Sequence, residues 1–282
     1  MIYYSSAELD ALLLEDISRG DLTTRALMLE GIPAHICFIR RSAGIVAGMD
    51  VAAALLQRLD IQYCCHCKDG EWVGAGSVLL EADADAERLH QAWKVIQTLL
   101  EWSCGVAQYT AETLAQARKI RPDAVLACTR KSIPNTRKLA MSAVVAGGAT
   151  LHRQGLGETL LVFENHRNLC GNSEDWGAVV ARLRLAAPEH KVIIEADHPD
   201  QLSEIIRAAP DIIQLDKFSP QAAHTVLAQI AAQKEAIRVS VAGGIGKHNI
   251  AEYAALGISL FVTSAPYYAP PQDIKVVLTR RR

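Results

Sequence analysis

The chain has 282 residues, 50% of them hydrophobic and 21% charged, enough for one large barrel or two ordinary domains and far from the composition of a disordered chain. Its 29 basic and 31 acidic residues leave a formal charge of −2, which excludes a global field drawing it to nucleic acid or an anionic membrane. Apolar runs such as VLLEA near residue 78 and GISLFV near 257 stop well short of the roughly 20 residues that cross a bilayer.

The N-terminal stretch MIYYSSAELDALLLEDISRGD lacks the basic start and small-residue cleavage site of a secretory signal. Seven cysteines scattered through a long chain fit reduced thiols. Both features predict a cytoplasmic protein. Ser5 and Glu8 form a capping-box pattern ahead of Leu9, Leu12 and Leu13, which predicts a helix over Ser5–Leu14. A turn follows at EDISRGDLTT, where Asp21 and Thr23 suit capping or packing.

Between residues 33 and 80 the text changes to short strands, AHICFIRR, GIVAG, IQYCCHC and VLLEA, with the helix MDVAAALLQRL between them. Within IQYCCHC, the run of Cys64, Cys65, His66 and Cys67 raises zinc, but successive strand residues point to opposite faces. Four in a row therefore cannot close a tetrahedron. The segment reads as a strand entering a turn at Asp69 and Gly70. From Asp85 to Trp102, Leu89, Trp93, Ile96 and Leu100 recur at helical spacing beside a polar stripe of His90, Lys94, Gln97 and Glu101.

Beyond residue 105 the near-continuous apolar runs AVLACT, TLLVFEN, KVIIEAD, DIIQLD, IRVSVAGG and LFVTSAP alternate with helical patterns. This predicts a parallel sheet covered by helices and, with six or seven units, a barrel. The expected fold is α/β, with a domain over residues 1–104, completed by 268–282, and a barrel domain over 105–267. Catalytic groups of such barrels come from the carboxyl ends of strands. Those ends supply Arg130 and Lys131, Glu164 and Asn165, Glu195, Asp216 and Lys217, and Gly243 with Gly244.

The cations of TRKSIPNTRK (Arg130, Lys131, Arg137, Lys138) and LHRQG (His152, Arg153) suit a polyanionic small molecule, because guanidinium grips phosphate or carboxylate bidentately. Glu195 and Asp216 offer oxygen ligands for Mg²⁺, and AGGIG at 242–246 is a glycine turn able to approach a phosphate.

These segments, EDISRGDLTT, GIVAG, CGVAQYT, TRKSIP, GGATLHRQGL, ENH, IEA, QLDK and AGGI in that order, resemble the quinolinate phosphoribosyltransferase family nearly end to end. That family comprises the carboxylating nicotinate-nucleotide pyrophosphorylases, the type II phosphoribosyltransferases. The resemblance implies an N-terminal α/β sandwich, a C-terminal open α/β barrel, a homodimer with shared active sites, Mg²⁺, and phosphoribosyl pyrophosphate with a small aromatic acceptor. It places Lys131, Glu195 and Asp216 in catalysis, the last two also on metal and ribose. It places Lys94, Arg130, Arg137, His152, Arg153, Gly243, Gly244 and Ser264 on substrates.

The departures concentrate on acid recognition. Lys94 follows Trp93 where the family pairs Glu with an Arg reaching the neighbouring subunit, and Phe163 replaces a Lys. Ala140 and Met141 replace a Glu-Lys pair, Ala242 replaces a Ser, and Ser264 a Gly. This pattern resembles the molybdenum-transport-associated pyrophosphorylase-like branch. It leaves quinolinate as one acceptor among pyridine-like acids, and leaves open the alternative of a non-catalytic nucleotide or oxyanion binder.

Overall fold

The computed structural model describes residues 2–17, 19–170, 175–233 and 236–281; Ser18, inside the predicted turn, lies outside them. The chain divides into two compact units, one of Met1–Ala111, Ser132–Gly148 and Pro266–Arg282, the other of Glu112–Lys131 and Ala149–Ala265.

In the first unit the capping box forms as predicted. Ser5 donates its backbone N–H to Glu8 Oε2 at 2.8 Å, and Glu8 N–H returns to Ser5 Oγ at 3.3 Å, opening the helix Ser6–Ile17. Asp21 caps the next short helix, Leu22–Ala26, by accepting from Thr23 N–H at 2.9 Å and Thr24 Oγ1 at 2.6 Å.

The strands are β1 (Pro33–Arg40), β2 (Gly44–Ile45), β3 (Gln62–Cys65), β4 (Trp72–Val73) and β5 (Val78–Asp85). β1 sits centrally in an antiparallel sheet, between β5, which also pairs β3, and the C-terminal strand Ile274–Arg280. Alternation sends Ala34, Ile36 and Phe38 inward onto Leu9, Leu13, Leu55, Leu56, Leu89 and Ile96. One face of this sheet is thus core and the other is not.

Two features of this unit depart from the sequence reading. The segment 132–148, counted there with the barrel, clusters with the first unit. Leu139 packs on the first unit's core, Lys138 pairs with Glu8 at 2.5 Å, and the glycine following its helix, Gly147, lies against Ala107 and Thr110. The helix expected to end near Trp102 runs from Ala86 to Arg118, straight through Gly105.

A Cβ on Gly105 would stand 2.3 Å from the Pro270 carbonyl oxygen. Gly105→Ala should therefore destabilise the protein by about 1–3 kcal/mol, the cost of overpacking, although Ala is the better helix former. A urea midpoint equal to or above that of the wild type would show the Pro270 segment yielding freely.

The second unit is a curled sheet of seven parallel strands: β6 (Val125–Cys128), β7 (Thr150–Leu151), β8 (Leu160–Val162), β9 (Val192–Ala196), β10 (Ile212–Asp216), β11 (Arg238–Ala242) and β12 (Leu260–Thr263). Its order β7-β6-β12-β11-β10-β9-β8 brings the last strand onto the first and leaves the barrel open between β7 and β8. The two-residue β7 was not predicted, being too short to show a period.

Leu260 of β12 packs with Leu161, Ile193 and Ile212 of β8, β9 and β10, strands that are not its sheet neighbours. That face must be the barrel interior. The opposite parity, Ile194, Ile213, Leu215 and Val241, is buried on the outside, so both faces are covered and the strands read as continuous apolar runs. Among the described residues no helix is long and apolar enough to cross a membrane.

Candidate active site

Because side chains alternate along a strand, the interior parity set by Ile193 and Ile212 continues to Glu195, Gln214 and Asp216. Register places Glu195 opposite Gln214, Gln214 opposite Ser240, and Asp216 opposite Ala242. A polar row therefore crosses β9, β10 and β11 above an apolar floor.

Gln214 donates Nε2–H to Glu195 Oε2 at 2.6 Å. Its own Oε1 and the Ser240 hydroxyl are buried with no hydrogen-bond partner among the described residues. Burial pushes the Glu195 carboxyl above its usual range; the Gln214 bond opposes this, Asp216 and Asp197 reinforce it, and Lys131 opposes it again. Asp197 is likewise raised, first by burial and then by Glu164, although Arg167 Nη2 lies 3.3 Å from it.

Three carboxylates, Glu195, Asp197 and Asp216, thus stand near one another at neighbouring strand ends, and the charge of Asp216 makes ionisation of the other two costlier. Such a set fits a hard divalent cation, which takes oxygen ligands.

Cations ring the same carboxylates. Arg130 and Lys131 follow β6, and Lys131 N–H is held by Thr129 Oγ1 at 3.1 Å. Thr129 Oγ1 also lies 2.5 Å from Ser264 Oγ, tying together the ends of β6 and β12. Arg153 is lowered by burial and by the neighbouring Arg130, and raised by Glu195. Two guanidiniums that repel each other beside a carboxylate favour an anion between them. His152, after β7, is held below the usual imidazole range by burial and by Arg153.

At the end of β11, Gly243 and Gly244 both have φ +79°. A Cβ on Gly243 would lie 2.6 Å from Asp216 Oδ1, so the bare backbone is what leaves that carboxylate its position. Asn249 clamps the turn, accepting from Gly246 N–H at 3.0 Å and donating to Gly244 O at 3.2 Å.

Phe163 extends the apolar floor beside Leu161 and Ile193. Its ring stacks on His166, centroids 5.7 Å apart, and Arg153 Cζ lies 5.4 Å from the ring centroid. The site wall here is thus an aromatic face with a guanidinium over it.

The second unit thus brings together Arg130, Lys131, His152, Arg153, Glu195, Asp216, Gly243, Gly244 and Ser264. Arg137 and Lys94 belong to the first unit. Lys94 Nζ donates to Gln97 Oε1 at 2.9 Å and lies 4.6 Å from the Trp93 ring centroid. Sequence reading gave no role to Gln214 or Ser240. The signal was present, a polar residue two positions from Asp216 in an otherwise apolar strand.

An open parallel barrel with carboxylates and cations at its strand ends is the build of a phosphosugar enzyme. Family models for quinolinate phosphoribosyl transferase match residues 21–104 with the N-terminal domain and 106–277 with the C-terminal domain. The chain belongs to the quinolinate phosphoribosyltransferase family, as its sequence pattern implied.

It is 59% identical over 281 residues, the full length of both chains, to the protein of Pasteurella multocida named putative pyrophosphorylase ModD. It is 30% identical to the carboxylating nicotinate-nucleotide pyrophosphorylase of Mycobacterium leprae, covering 90% of this chain and 89% of that one. The solved nicotinate-nucleotide pyrophosphorylase of Francisella tularensis superposes with a TM-score of 0.87 over 98% of both chains, at 25% identity. The branch expected from the departures at Phe163, Lys94 and Ala242 is the one to which the Pasteurella relative is assigned by its name.

Proposed function

We propose that the protein is a Mg²⁺-dependent phosphoribosyltransferase that joins a ring nitrogen of a small aromatic acid to phosphoribosyl pyrophosphate. The C1–N bond forms as the C1–O bond to pyrophosphate breaks. The observation that carries this reading is the convergence of Lys131, Arg130 and Arg153 on Glu195 and Asp216 at strand ends of one barrel.

Glu195 and Asp216 would hold Mg²⁺, which supplies charge neutralisation for the pyrophosphate oxygens. Arg130, Lys131 and Arg153 bind the departing phosphates, and Asp216 and Glu195 also orient the ribose hydroxyls. The turn at Gly243 and Gly244 takes the 5′-phosphate on backbone N–H groups. The enzyme mainly positions and neutralises, since the transition state is oxocarbenium-like.

With quinolinate as acceptor, the ribosylated ring nitrogen becomes cationic. The C2–carboxyl bond breaks as CO₂ departs, and the electron pair left at C2 is stabilised by that cation until a proton from solvent bonds to it. The aromatic wall of Phe163 under Arg153 favours a planar acid with fewer carboxylates, so a pyridine monoacid or a related heterocycle competes with quinolinate as the natural acceptor.

We also read the protein as a cytoplasmic homodimer, with Lys94 serving the partner's site. Seven unpaired cysteines support a reducing compartment.

The test is pyrophosphate release from phosphoribosyl pyrophosphate with quinolinate, nicotinate, other pyridine acids and no acceptor, with and without Mg²⁺, beside light scattering of the same sample. Expected are Mg²⁺-dependent release with one acceptor and a dimer mass. Tight nucleotide binding with no release for any acceptor would favour the binding-protein reading, which the losses at Phe163 and Ala242 motivate.

A further inference from the structure

The uncovered face of the first unit's sheet carries chemistry the barrel does not use. Alternation that buries Ala34, Ile36 and Phe38 turns His35 and Cys37 the other way. Register sets His35 opposite Asp83, and Cys37 opposite Glu81. On the far side of Glu81 stands Cys64 of β3.

His35 is gripped at Nδ1 by Asp83 Oδ1 at 2.9 Å. Its other nitrogen, Nε2, lies 3.1 Å from Cys37 Sγ and 3.8 Å from Glu81 Oε2. These three ligand atoms all fall within 4.8 Å of one another.

An imidazole between two carboxylates would by itself be an ordinary ion pair. Two features go beyond that. A thiol and a carboxylate converge on the ring nitrogen that faces away from Asp83. Tetrahedral zinc, with bonds of about 2.0–2.3 Å, spaces its ligand atoms about 3.3–3.6 Å apart, which the observed separations bracket. Metal-bound imidazoles also characteristically pass their second N–H to a carboxylate, the role Asp83 holds here. Sulfur and imidazole donors select the zinc class of ion over magnesium.

We propose that His35, Cys37 and Glu81 hold a zinc-class divalent ion on the open face of this sheet, with Asp83 orienting His35. The site is separate from the carboxylates of the barrel and does not depend on the transferase reading. Cys64 and His66, the latter with Nε2 at 3.2 Å from Glu81 Oε1, form a second triad with the same carboxylate. Cys64 and His66 are both exposed, and among the described residues the carboxylate that His66 pairs with is Glu81. The ion is therefore assigned to the half-buried set. The Cys-Cys-His-Cys run is thus not a finger, yet two of its members share a carboxylate with ligands supplied by a neighbouring strand.

The test uses full-length, untagged protein stripped with a chelator, then titrated with Zn²⁺ against a chromophoric competitor and with Co²⁺ by absorption. Expected is one ion per chain with a thiolate-to-cobalt charge-transfer band. The band should be kept in Cys64→Ser and lost in Cys37→Ser and Glu81→Gln, with unchanged circular dichroism of the metal-free proteins. Asp83→Asn should keep the stoichiometry and weaken affinity about 10–100-fold. No binding, wild-type binding in Cys37→Ser, or loss confined to Cys64→Ser would overturn the assignment. A cobalt complex without the thiolate band would place the ion on oxygen ligands elsewhere and overturn it equally.

Discussion

Glu195→Gln is expected to lower kcat by about 10²–10³-fold, the usual cost of one preorganised electrostatic group, without costing stability. The side chain keeps its shape and its place beside Gln214, so packing is preserved while the charge proposed to hold Mg²⁺ and ribose is removed. The stability side has a definite sign. Burial raises the Glu195 carboxyl above its unfolded value, with Asp216 and Asp197 adding to the effect against Gln214 and Lys131. A raised acid contributes fully below its unfolded pKa and loses that contribution as pH rises through the folded one. The variant, never charged there, should match or exceed wild-type stability at about pH 8 and lose that advantage by about pH 4, either side of the carboxyl range. Urea midpoints at the two pH values and steady-state pyrophosphate release check both halves. Wild-type kcat with unchanged pH dependence of stability would remove Glu195 from the site.

That behaviour depends on placement, which the sequence exposed unevenly. The barrel was legible because its strands are buried on both faces and its helices are amphipathic, and the strand-end rule then selects Glu195, Asp216 and Lys131 directly. Gln214 was legible by the same alternation, since it shares a face with Asp216, yet an apolar-strand template passes over it. Gly105 was not legible. Its reason is the Pro270 carbonyl, far away in sequence.

The polar stripe beside Lys94 also reads differently once the C-terminal segment is placed. Gln97 donates to Ile274 O at 2.7 Å, and Glu101 Oε1 accepts from Ile274 N–H at 3.3 Å. Half of the stripe therefore anchors the chain's last strand. The Cys-Cys-His-Cys run shows the same limit. Local geometry correctly rejects four consecutive ligands, but no local rule can supply Asp83 to His35 across 48 residues.

The altered acceptor end follows from the same placements. Phe163 gives the wall of the barrel an aromatic face, while Gln214 Oε1 and Ser240 Oγ at its interior row have no hydrogen-bond partner among the described residues. Gln214 Oε1 can only accept, so it asks for a donor that a carboxylate lacks, whereas the Ser240 hydroxyl can give or take a hydrogen bond. On the transferase reading proposed above, an acceptor with an N–H or O–H group would satisfy Gln214 Oε1 while its acidic group met Arg130 and Arg153.

The second large effect is expected from Gly243→Ala, and its meaning comes from comparison with Gly244→Ala. Both residues have φ +79°, so each substitution stores a similar backbone strain of about 1–3 kcal/mol. Their surroundings differ. A Cβ at 244 meets nothing within 4 Å, whereas at 243 it would lie 2.5 Å from Lys217 Cγ, 2.6 Å from Asp216 Oδ1 and 2.7 Å from Lys217 N. The Lys217 backbone cannot retreat easily, because its N–H is bonded to Ala242 O at 2.9 Å and its own φ is already +58°. The Asp216 carboxylate must swing instead. Gly243→Ala should therefore lose about 100-fold in kcat, as expected when a positioned group is displaced by an ångström. Gly244→Ala, whose methyl occupies the space assigned to the 5′-phosphate, should raise KM for phosphoribosyl pyrophosphate with a smaller change in kcat. Equal kinetic losses in the two variants would mean that backbone strain alone is being measured. Wild-type kcat in Gly243→Ala would mean that the position of Asp216 does not govern turnover.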